Sequence, residues 1–234
     1  ADTKSTEILF LKAEIQLAAS KFDEAIRTYR QIVNFDAAQF RAHLGIAQIE
    51  LHRGNLEAAD QALQAAEKQA PKAPLVQFAR GTVEYRRGNM EVANRAFQAT
   101  LMAAPEHIGS LLGYALTSFG AGRYEETMQK ARKVLSTQPE NKLANQLLAD
   151  SLLQTGASKE ALAILEPLLA KYPDDAKLTA STGQAYLQAK DYNRAMRYFD
   201  RATELAPNDA AILTIRAGGH LFGGHTTQAL ADFE

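Results

Sequence analysis

Small apolar residues return along this chain at a constant interval of 34 residues. When the first interval begins at Thr6, the eighth position is small in all seven intervals: Ala13, Ala47, Gly81, Ala115, Ala149, Gly183 and Ala217. The twentieth position is small as well: Ala25, Ala59, Ala93, Thr127, Ala161, Ala195 and Ala229. The distance between packed helices depends on the side chains at their contact. The two columns therefore predict two closely packed helices per interval, called A and B below.

Residues that end helices follow the same interval. The fifteenth position holds Ser20 and Lys190 in two intervals and glycine in the other five: Gly54, Gly88, Gly122, Gly156 and Gly224. Glycine commonly ends a helix because it accepts the left-handed conformation. The thirty-second position holds five prolines: Pro71, Pro105, Pro139, Pro173 and Pro207. Because proline cannot continue the hydrogen-bond ladder, this column predicts the end of helix B. The whole pattern predicts thirteen to fourteen helices.

A large apolar residue at the twenty-fourth position completes the pattern: Tyr29, Leu63, Phe97, Leu165, Phe199 and Phe233. Together these columns resemble the tetratricopeptide repeat, a helix–turn–helix unit of 34 residues. The resemblance extends from Thr6 to Glu234. It implies an all-α fold, a right-handed superhelical solenoid (an alpha-alpha superhelix) of helix–turn–helix repeats.

The unbroken interval predicts one array over residues 1–234 rather than two domains. Its repeats one to seven are 6–39, 40–73, 74–107, 108–141, 142–175, 176–209 and the partial repeat 210–234. The seventh repeat stops partway through its helix B, and no polar capping repeat of the kind that usually ends a solenoid follows it. We therefore expect the chain to be a fragment of a longer protein.

Composition narrows the classes of function. The 234 residues carry a net charge of −1. Nucleic-acid binders present a basic stripe, so no nucleic acid is expected as a partner. The chain has no cysteine, which leaves no thiol nucleophile and no cysteine-based metal site. No apolar run approaches the roughly 18–20 residues of a membrane helix, so no transmembrane segment is expected.

Candidate catalytic and metal-binding residues are few. Segment 219–224 has the glycines of a phosphate-binding loop, but His225 stands where that loop needs lysine. His220 and His225 could hold a metal across a turn, although ordinary surface histidines are the commoner case. The acidic pairs 125–126 and 174–175 fall where carboxylates cap helices. Acid–base catalysis would instead need carboxylates that converge in a pocket. We expect no catalytic residue, no metal and no cofactor, so that the chain is not an enzyme.

The resemblance implies that positions 2, 5, 9, 12 and 13 of the A helices line a concave groove for a protein or peptide ligand. Repeats one to four carry an apolar strip at these positions: Phe10, Leu44, Phe78, Tyr85, Leu112 and Phe119. Repeats five and six carry a polar patch: Gln146, Asp150, Gln154, Gln184 and Gln188. The strip is either a packing surface between neighbouring A helices or an anchor for an extended or helical peptide. The patch is either a solvated face or a site for a polar peptide or a sugar, since amides both donate and accept hydrogen bonds.

Some members of the family grip the C-terminal carboxylate of chaperones with lysine and asparagine at fixed groove positions. In this chain the corresponding residues are apolar, acidic or neutral: Phe10, Glu14, Leu44, Gln48, Phe78 and Thr82. A chaperone carboxylate clamp is therefore not expected.

A narrower resemblance lies between Leu165 and Glu234. Segments 165–171, 183–192 and 227–234 are similar to the repeat lipoproteins that accompany the exosortase / PEP-CTERM sorting system of exopolysaccharide-producing Gram-negative bacteria. This resemblance implies a non-catalytic scaffold in the periplasm or at the outer membrane, with envelope or polysaccharide-export machinery as a partner. The alternative is the regulatory arm of a larger enzyme, such as a glycosyltransferase that carries its own repeats.

Overall fold

Residues 3–232, which the computed structural model describes, form fourteen helices and no strand. The helices are α1 (Thr3–Ala18), α2 (Phe22–Phe35), α3 (Phe40–His52), α4 (Leu56–Gln69), α5 (Pro74–Arg86), α6 (Met90–Ala103), α7 (Ile108–Gly120), α8 (Tyr124–Thr137), α9 (Lys142–Gln154), α10 (Ser158–Lys171), α11 (Ala176–Gln188), α12 (Tyr192–Leu205), α13 (Ala210–Phe222) and α14 (Thr226–Ala231). The predicted all-α class and the predicted number of helices are confirmed. Odd-numbered helices are the A helices, and even-numbered helices are the B helices.

The chain divides into two compact units, one up to Thr117 and one from Ser118 onward. In the first unit, α1 packs on α2, α3 on α4 and α5 on α6, and α3 and α5 also pack on the preceding B helices α2 and α4. In the second unit the same alternation runs from α8 to α14. A single array over residues 1–234 stays a prediction. The predicted roles of Phe233 and Glu234 lie outside the described residues.

The turns between helices A and B have the predicted left-handed backbone. Every glycine of the fifteenth column has a positive φ, between 74° and 83°. Ser20 and Lys190 adopt the same conformation, with φ of 57° and 64°. The turn geometry is therefore kept even where a side chain makes it costly, because residues other than glycine are strained in the left-handed region.

The B helices end where the proline column predicts. Helix α4 ends at Gln69, before Pro71, and α10 ends at Lys171, before Pro173. Helix α2 ends at Phe35 although Ala37 stands in the proline column. Asp36 stabilises this exit, since its carboxylate accepts hydrogen bonds from the Ala38 N–H at 2.9 Å and from Gln39.

In repeats three and six, glycine at position eight makes room for phenylalanine at position twenty-four. A Cβ placed on Gly81 would lie 2.6 Å from the Phe97 ring, and one on Gly183 would lie 2.6 Å from the Phe199 ring. Where position twenty-four is leucine, position eight is alanine, and both residues lie in one core cluster: Ala47 with Leu63, and Ala149 with Leu165. Alanine also stands beside the larger Tyr29 in repeat one, where Ala13 and Tyr29 share a core cluster.

The same large residues also contact the next repeat. A Cβ on Gly45 would lie 2.4 Å from the Tyr29 ring, and a Cβ on Gly113 would lie 2.6 Å from the Phe97 ring. The Phe97 ring therefore fills space left by Gly81 in its own repeat and by Gly113 in the following one. The 34-residue pattern does not reveal this second glycine contact.

Candidate functional site

An open groove of about 460 Å³ lies between α3 and α5 in the first compact unit. Its lining residues are Leu44, Gln48, Leu51 and His52 of α3, Leu75, Phe78, Ala79, Thr82 and Arg86 of α5, and His107, which precedes α7. Eight of these ten residues occupy positions 2, 5, 9, 12 or 13 of their repeats. The groove therefore lies on the face of the A helices that the sequence predicted.

The floor of the groove is apolar and only partly covered. Leu51 is buried, Leu44 and Phe78 are half-buried, and Leu75 is exposed. The Phe78 ring makes an edge contact with the His107 ring, 4.7 Å between centroids, and lies 6.0 Å from the Phe97 ring. Phe78 therefore combines the two predicted interpretations, because it packs against neighbouring helices and still presents surface to the groove.

Two polar side chains that line the groove, Arg86 and His107, are held by hydrogen bonds to neighbouring residues. Arg86 Nη1 donates a hydrogen bond to the Leu51 carbonyl oxygen at 2.5 Å, which fixes the last turns of α3 and α5 side by side. The backbone N–H of Ser110 lies 3.1 Å from Nδ1 of His107. The Ser110 hydroxyl oxygen lies 2.9 Å from the same Nδ1. These two contacts with Ser110 hold the His107 ring in place at the edge of the groove.

A buried ion network positions α5 against α4 behind the groove. The Arg80 guanidinium donates two hydrogen bonds to Glu67, at 2.8 and 2.6 Å, and one to Asp60 at 2.5 Å. Burial alone would raise the pKa of Asp60, but hydrogen bonds from Arg80 and Arg87 outweigh burial and hold it below its usual value. This bidentate geometry fixes the orientation of α5 as well as its position.

The other predicted apolar residues lie elsewhere. Phe10 is half-buried on α1, and its ring centroid lies 6.2 Å from that of Tyr29. The Arg41 guanidinium lies over the Phe10 ring, 5.1 Å from its centroid. Tyr85 and Leu112 are half-buried but do not line the groove between α3 and α5. Phe119 belongs to the second compact unit. Three further predicted residues thus have partial exposure without joining the groove: Tyr85, Leu112 and Phe119.

The predicted polar patch spans α9 and α11 of the second compact unit. Gln154 and Gln188 are exposed, and Gln188 donates to the Leu153 carbonyl oxygen at 3.1 Å. Asp150 accepts a hydrogen bond from the Ser181 hydroxyl at 2.8 Å. Burial raises the pKa of Asp150 to about 6, although the Ser181 hydrogen bond acts in the opposite direction. The two remaining residues of the patch are half-buried: Gln146 and Gln184.

The other candidate chemistry falls into structural positions. Glu125 and Glu126 lie in the first turn of α8. Asp175 caps α11, where it accepts a hydrogen bond from the Leu178 N–H at 3.0 Å. The His220 and His225 rings are 6.3 Å apart, and residues 3–232 contain no group of three histidine, cysteine or acidic residues arranged to hold a metal.

In the described part of the chain, no helix combines the length and the apolar character needed to cross a bilayer.

Several residues that line the groove were not among the predicted site residues, although most of them occupy predicted groove positions. His52 and Arg86 occupy position 13, Leu75 occupies position 2, and His107 is the last residue of repeat three. Of these positions, only position 13 could have been noticed in the sequence, because it holds a basic side chain in both repeats that form the groove. His107 lies in a connection between helices, where the interval gives no guide to side-chain direction.

The helices form pairs that follow the 34-residue interval, and the A helices carry an open groove. These features define an α-helical repeat protein. Profiles described as "Tetratricopeptide repeat" match residues 10–74 and 78–142 in one case, and residues 118–181 and 159–218 in the other. These matches cover most of the chain. The chain belongs to the tetratricopeptide repeat family.

Individual relatives are more distant. Cell division cycle protein 27 homolog A of Arabidopsis thaliana is 28% identical over 104 residues, which are 44% of this chain and 14% of that protein. The chain therefore spans only a small part of the length of this curated relative.

Solved structures match over more of the chain. A tetratricopeptide repeat protein from Parabacteroides merdae is 19% identical, with a TM-score of 0.70 over 98% of this chain and 91% of that one. PilW, described as a type IV pilus biogenesis factor, is 15% identical, with a TM-score of 0.73 over 90% and 98%. YrrB, described as having an unusual peptide-binding site, is 15% identical, with a TM-score of 0.68 over 79% and 95%. At these identities the likeness establishes the fold.

Proposed function

We propose that this chain is a non-catalytic protein-interaction scaffold, and that the groove between α3 and α5 binds an extended peptide segment of a partner protein. Tetratricopeptide repeat proteins generally present extended binding surfaces. One observation carries the assignment to this groove: half-buried Leu44 and Phe78 and exposed Leu75 form one continuous apolar floor between two A helices. Apolar surface of this kind, bordered by polar residues, commonly marks an interaction site.

The dimensions of the groove suit an extended segment. Its lining residues span positions 2 to 13 of an A helix, which corresponds to roughly 16 Å at the helical rise of about 1.5 Å per residue. An extended chain advances about 3.3 Å per residue, so roughly five residues fit along the groove. Side chains on one face of such a segment would seat on Leu44 and Phe78, and its backbone could reach Gln48 and Thr82.

Replacing Leu75 with serine is expected to weaken peptide binding about tenfold while the fold stays stable. Leu75 is 52% exposed, so the substitution removes groove surface without opening a cavity. Loss of one apolar contact of this size corresponds to roughly 1.4 kcal/mol. Peptides selected from a random displayed library on the parent chain supply the ligand, and fluorescence anisotropy measures their affinity.

Met102→Ser is the matched control, because Met102 is 83% exposed on α6 and does not line the groove. Binding that falls equally for both variants, or for neither, would assign the site elsewhere. A library that yields no enriched peptide on the parent chain would count against peptide binding itself.

We also propose a bacterial cell-envelope setting, in an exopolysaccharide or protein-sorting system of a Gram-negative bacterium. The support is the similarity of residues 165–234 to repeat lipoproteins of the exosortase / PEP-CTERM system. PilW, which is described as a type IV pilus biogenesis factor, has a similar fold. Fractionation of the native cells is expected to place the protein in the periplasmic or outer-membrane fraction, whereas recovery in the cytosolic fraction would contradict this setting.

A further inference from the structure

The polar side chains that line the groove between α3 and α5 share one chemical character. They are Gln48, His52, Thr82, Arg86 and His107. The Thr82 hydroxyl already donates to the Phe78 carbonyl oxygen at 3.0 Å, and no aspartate or glutamate is among the lining residues. The groove therefore offers a ligand the positive charge of Arg86, and no carboxylate that could pair with a cation.

Arg86 is available to a ligand in a way that its neighbours are not. Arg80 and Arg87 both form ion pairs with Asp60, at 2.5 and 3.1 Å. Among the described residues, Arg86 pairs with no carboxylate, and the structure assigns it one hydrogen bond, from Nη1 to the Leu51 carbonyl oxygen. That bond anchors the guanidinium at the edge of the groove while its Nε and Nη2 groups keep donors for another partner.

Side chains with nitrogen atoms lie at both ends of the apolar floor. Arg86 and His52 lie in the last turns of α5 and α3. His107 lies at the other end, where its ring contacts Phe78 in the first half of α5 and its Nδ1 contacts the N–H and the hydroxyl of Ser110. A ligand whose apolar side chain rests on Leu44 and Phe78 would thus meet the guanidinium of Arg86 at one end of the floor.

From this charge complementarity we infer that the ligand is an extended peptide segment that carries a large apolar side chain next to an aspartate or glutamate. This inference rests on the proposed function, since it names the ligand class of the same groove. The apolar side chain seats on Leu44 and Phe78, and the carboxylate pairs with Arg86. A lysine or arginine at the same place would meet Arg86 with like charge and find no carboxylate in the lining.

A displayed random library tests this inference without assuming a sequence. Peptides of about twelve residues are displayed with their C-terminus fused to the carrier, so that any selected carboxylate comes from a side chain. The expected result is enrichment of aspartate or glutamate within two residues of leucine, isoleucine, phenylalanine or methionine. The best enriched peptide is then synthesised with a blocked C-terminus, together with versions in which asparagine or glutamine replaces each acid.

The variant Arg86→Gln keeps an amide donor but removes the charge. It is expected to bind the acidic peptide about tenfold more weakly, because charge-assisted hydrogen bonds are about twice as strong as neutral ones. The neutral version of the peptide should bind the parent chain and Arg86→Gln almost equally. Arg30→Gln is the matched control, since Arg30 is exposed on helix B of repeat one. Added salt should weaken binding of the acidic peptide and leave the neutral version nearly unchanged.

The outcomes separate this inference from the proposed function. The library could enrich apolar peptides that contain no acid. If Leu75→Ser weakened their binding and Arg86→Gln did not, the acidic ligand class would be overturned, but peptide binding in the groove would stand. Enrichment of basic peptides, or recognition that requires a free C-terminal carboxylate, would also overturn it. Absence of any enriched peptide would overturn both proposals. Unfolding curves of both arginine variants establish that any loss of binding is not a loss of fold.

Discussion

Replacing Phe97 with alanine is expected to lower the free energy of unfolding by about 3–5 kcal/mol. The ring is almost fully buried and fills space between Gly81 and Gly113. Neither glycine has a side chain that could move into the resulting cavity, so the cost should lie toward the upper end of this range. Urea-induced unfolding followed by circular dichroism measures the loss.

A double-mutant cycle identifies the cause more sharply. Gly81→Ala should destabilise the parent chain, because its new Cβ would lie 2.6 Å from the Phe97 ring. In the background of Phe97→Leu, the same alanine should be tolerated, since Ala47 and Leu63 already form this pair in repeat two. The coupling between the two sites should therefore be favourable and of the order of 1 kcal/mol.

Gly218→Ala is the control for the effect of alanine on a helix. Gly218 lies inside α13, and no atom lies within 4 Å of a Cβ placed there. This variant should be more stable than the parent chain, by up to about 1 kcal/mol, because alanine favours helix over glycine. Equal effects of Gly81→Ala and Gly218→Ala would show that the ring contact does not matter.

Replacing Asp150 with asparagine is expected to stabilise the chain at pH 8 and to have little effect at pH 4. The folded-state pKa of Asp150 is raised to about 6, from a reference of 3.8. A carboxyl with a raised pKa contributes stability below the unfolded pKa, and this contribution is lost as pH rises through the folded pKa. At about 1.4 kcal/mol per pKa unit, ionised Asp150 costs about 3 kcal/mol at pH 8, a cost that asparagine avoids.

The measurement is the difference in unfolding free energy between Asp150→Asn and the parent chain across this pH range. Subtraction removes the contributions of other titrating groups that the two proteins share. Asp174→Asn serves as the exposed control, since the Asp174 side chain is 77% exposed beside Arg201. A difference that does not change between pH 4 and pH 8 would contradict a shielded carboxyl at position 150.

The helical class and the positions of the turns could be predicted because each determinant recurs in several repeats. The glycine column reports a backbone requirement, and even Ser20 and Lys190 meet it with positive φ. The contact of Phe97 with Gly113 could not be predicted in the same way. It joins helix B of one repeat to helix A of the next, and glycine at that position appears in only some of the repeats.

The groove was predictable as a set of positions but not as a set of contacts. Leu44 and Phe78 line it, whereas Tyr85 occupies a predicted groove position and does not. His107 belongs to no groove position, because its direction is set by its contacts with Ser110 and Phe78. The hydrogen bond that Asp150 accepts likewise comes from Ser181 of the following A helix, a partner that its own repeat does not reveal.

The contact between Phe97 and Gly113 limits how the number of repeats in this protein can change. Unequal crossing-over between similar coding segments could delete residues 74–107 and leave the interval intact. Leu63, which now shares a core cluster with Ala79, would then face Gly113, whose free space is filled at present by the Phe97 ring. The shortened protein would keep its helices but carry a cavity at the new junction. Loss of this repeat would therefore cost less stability if a residue larger than glycine replaced Gly113.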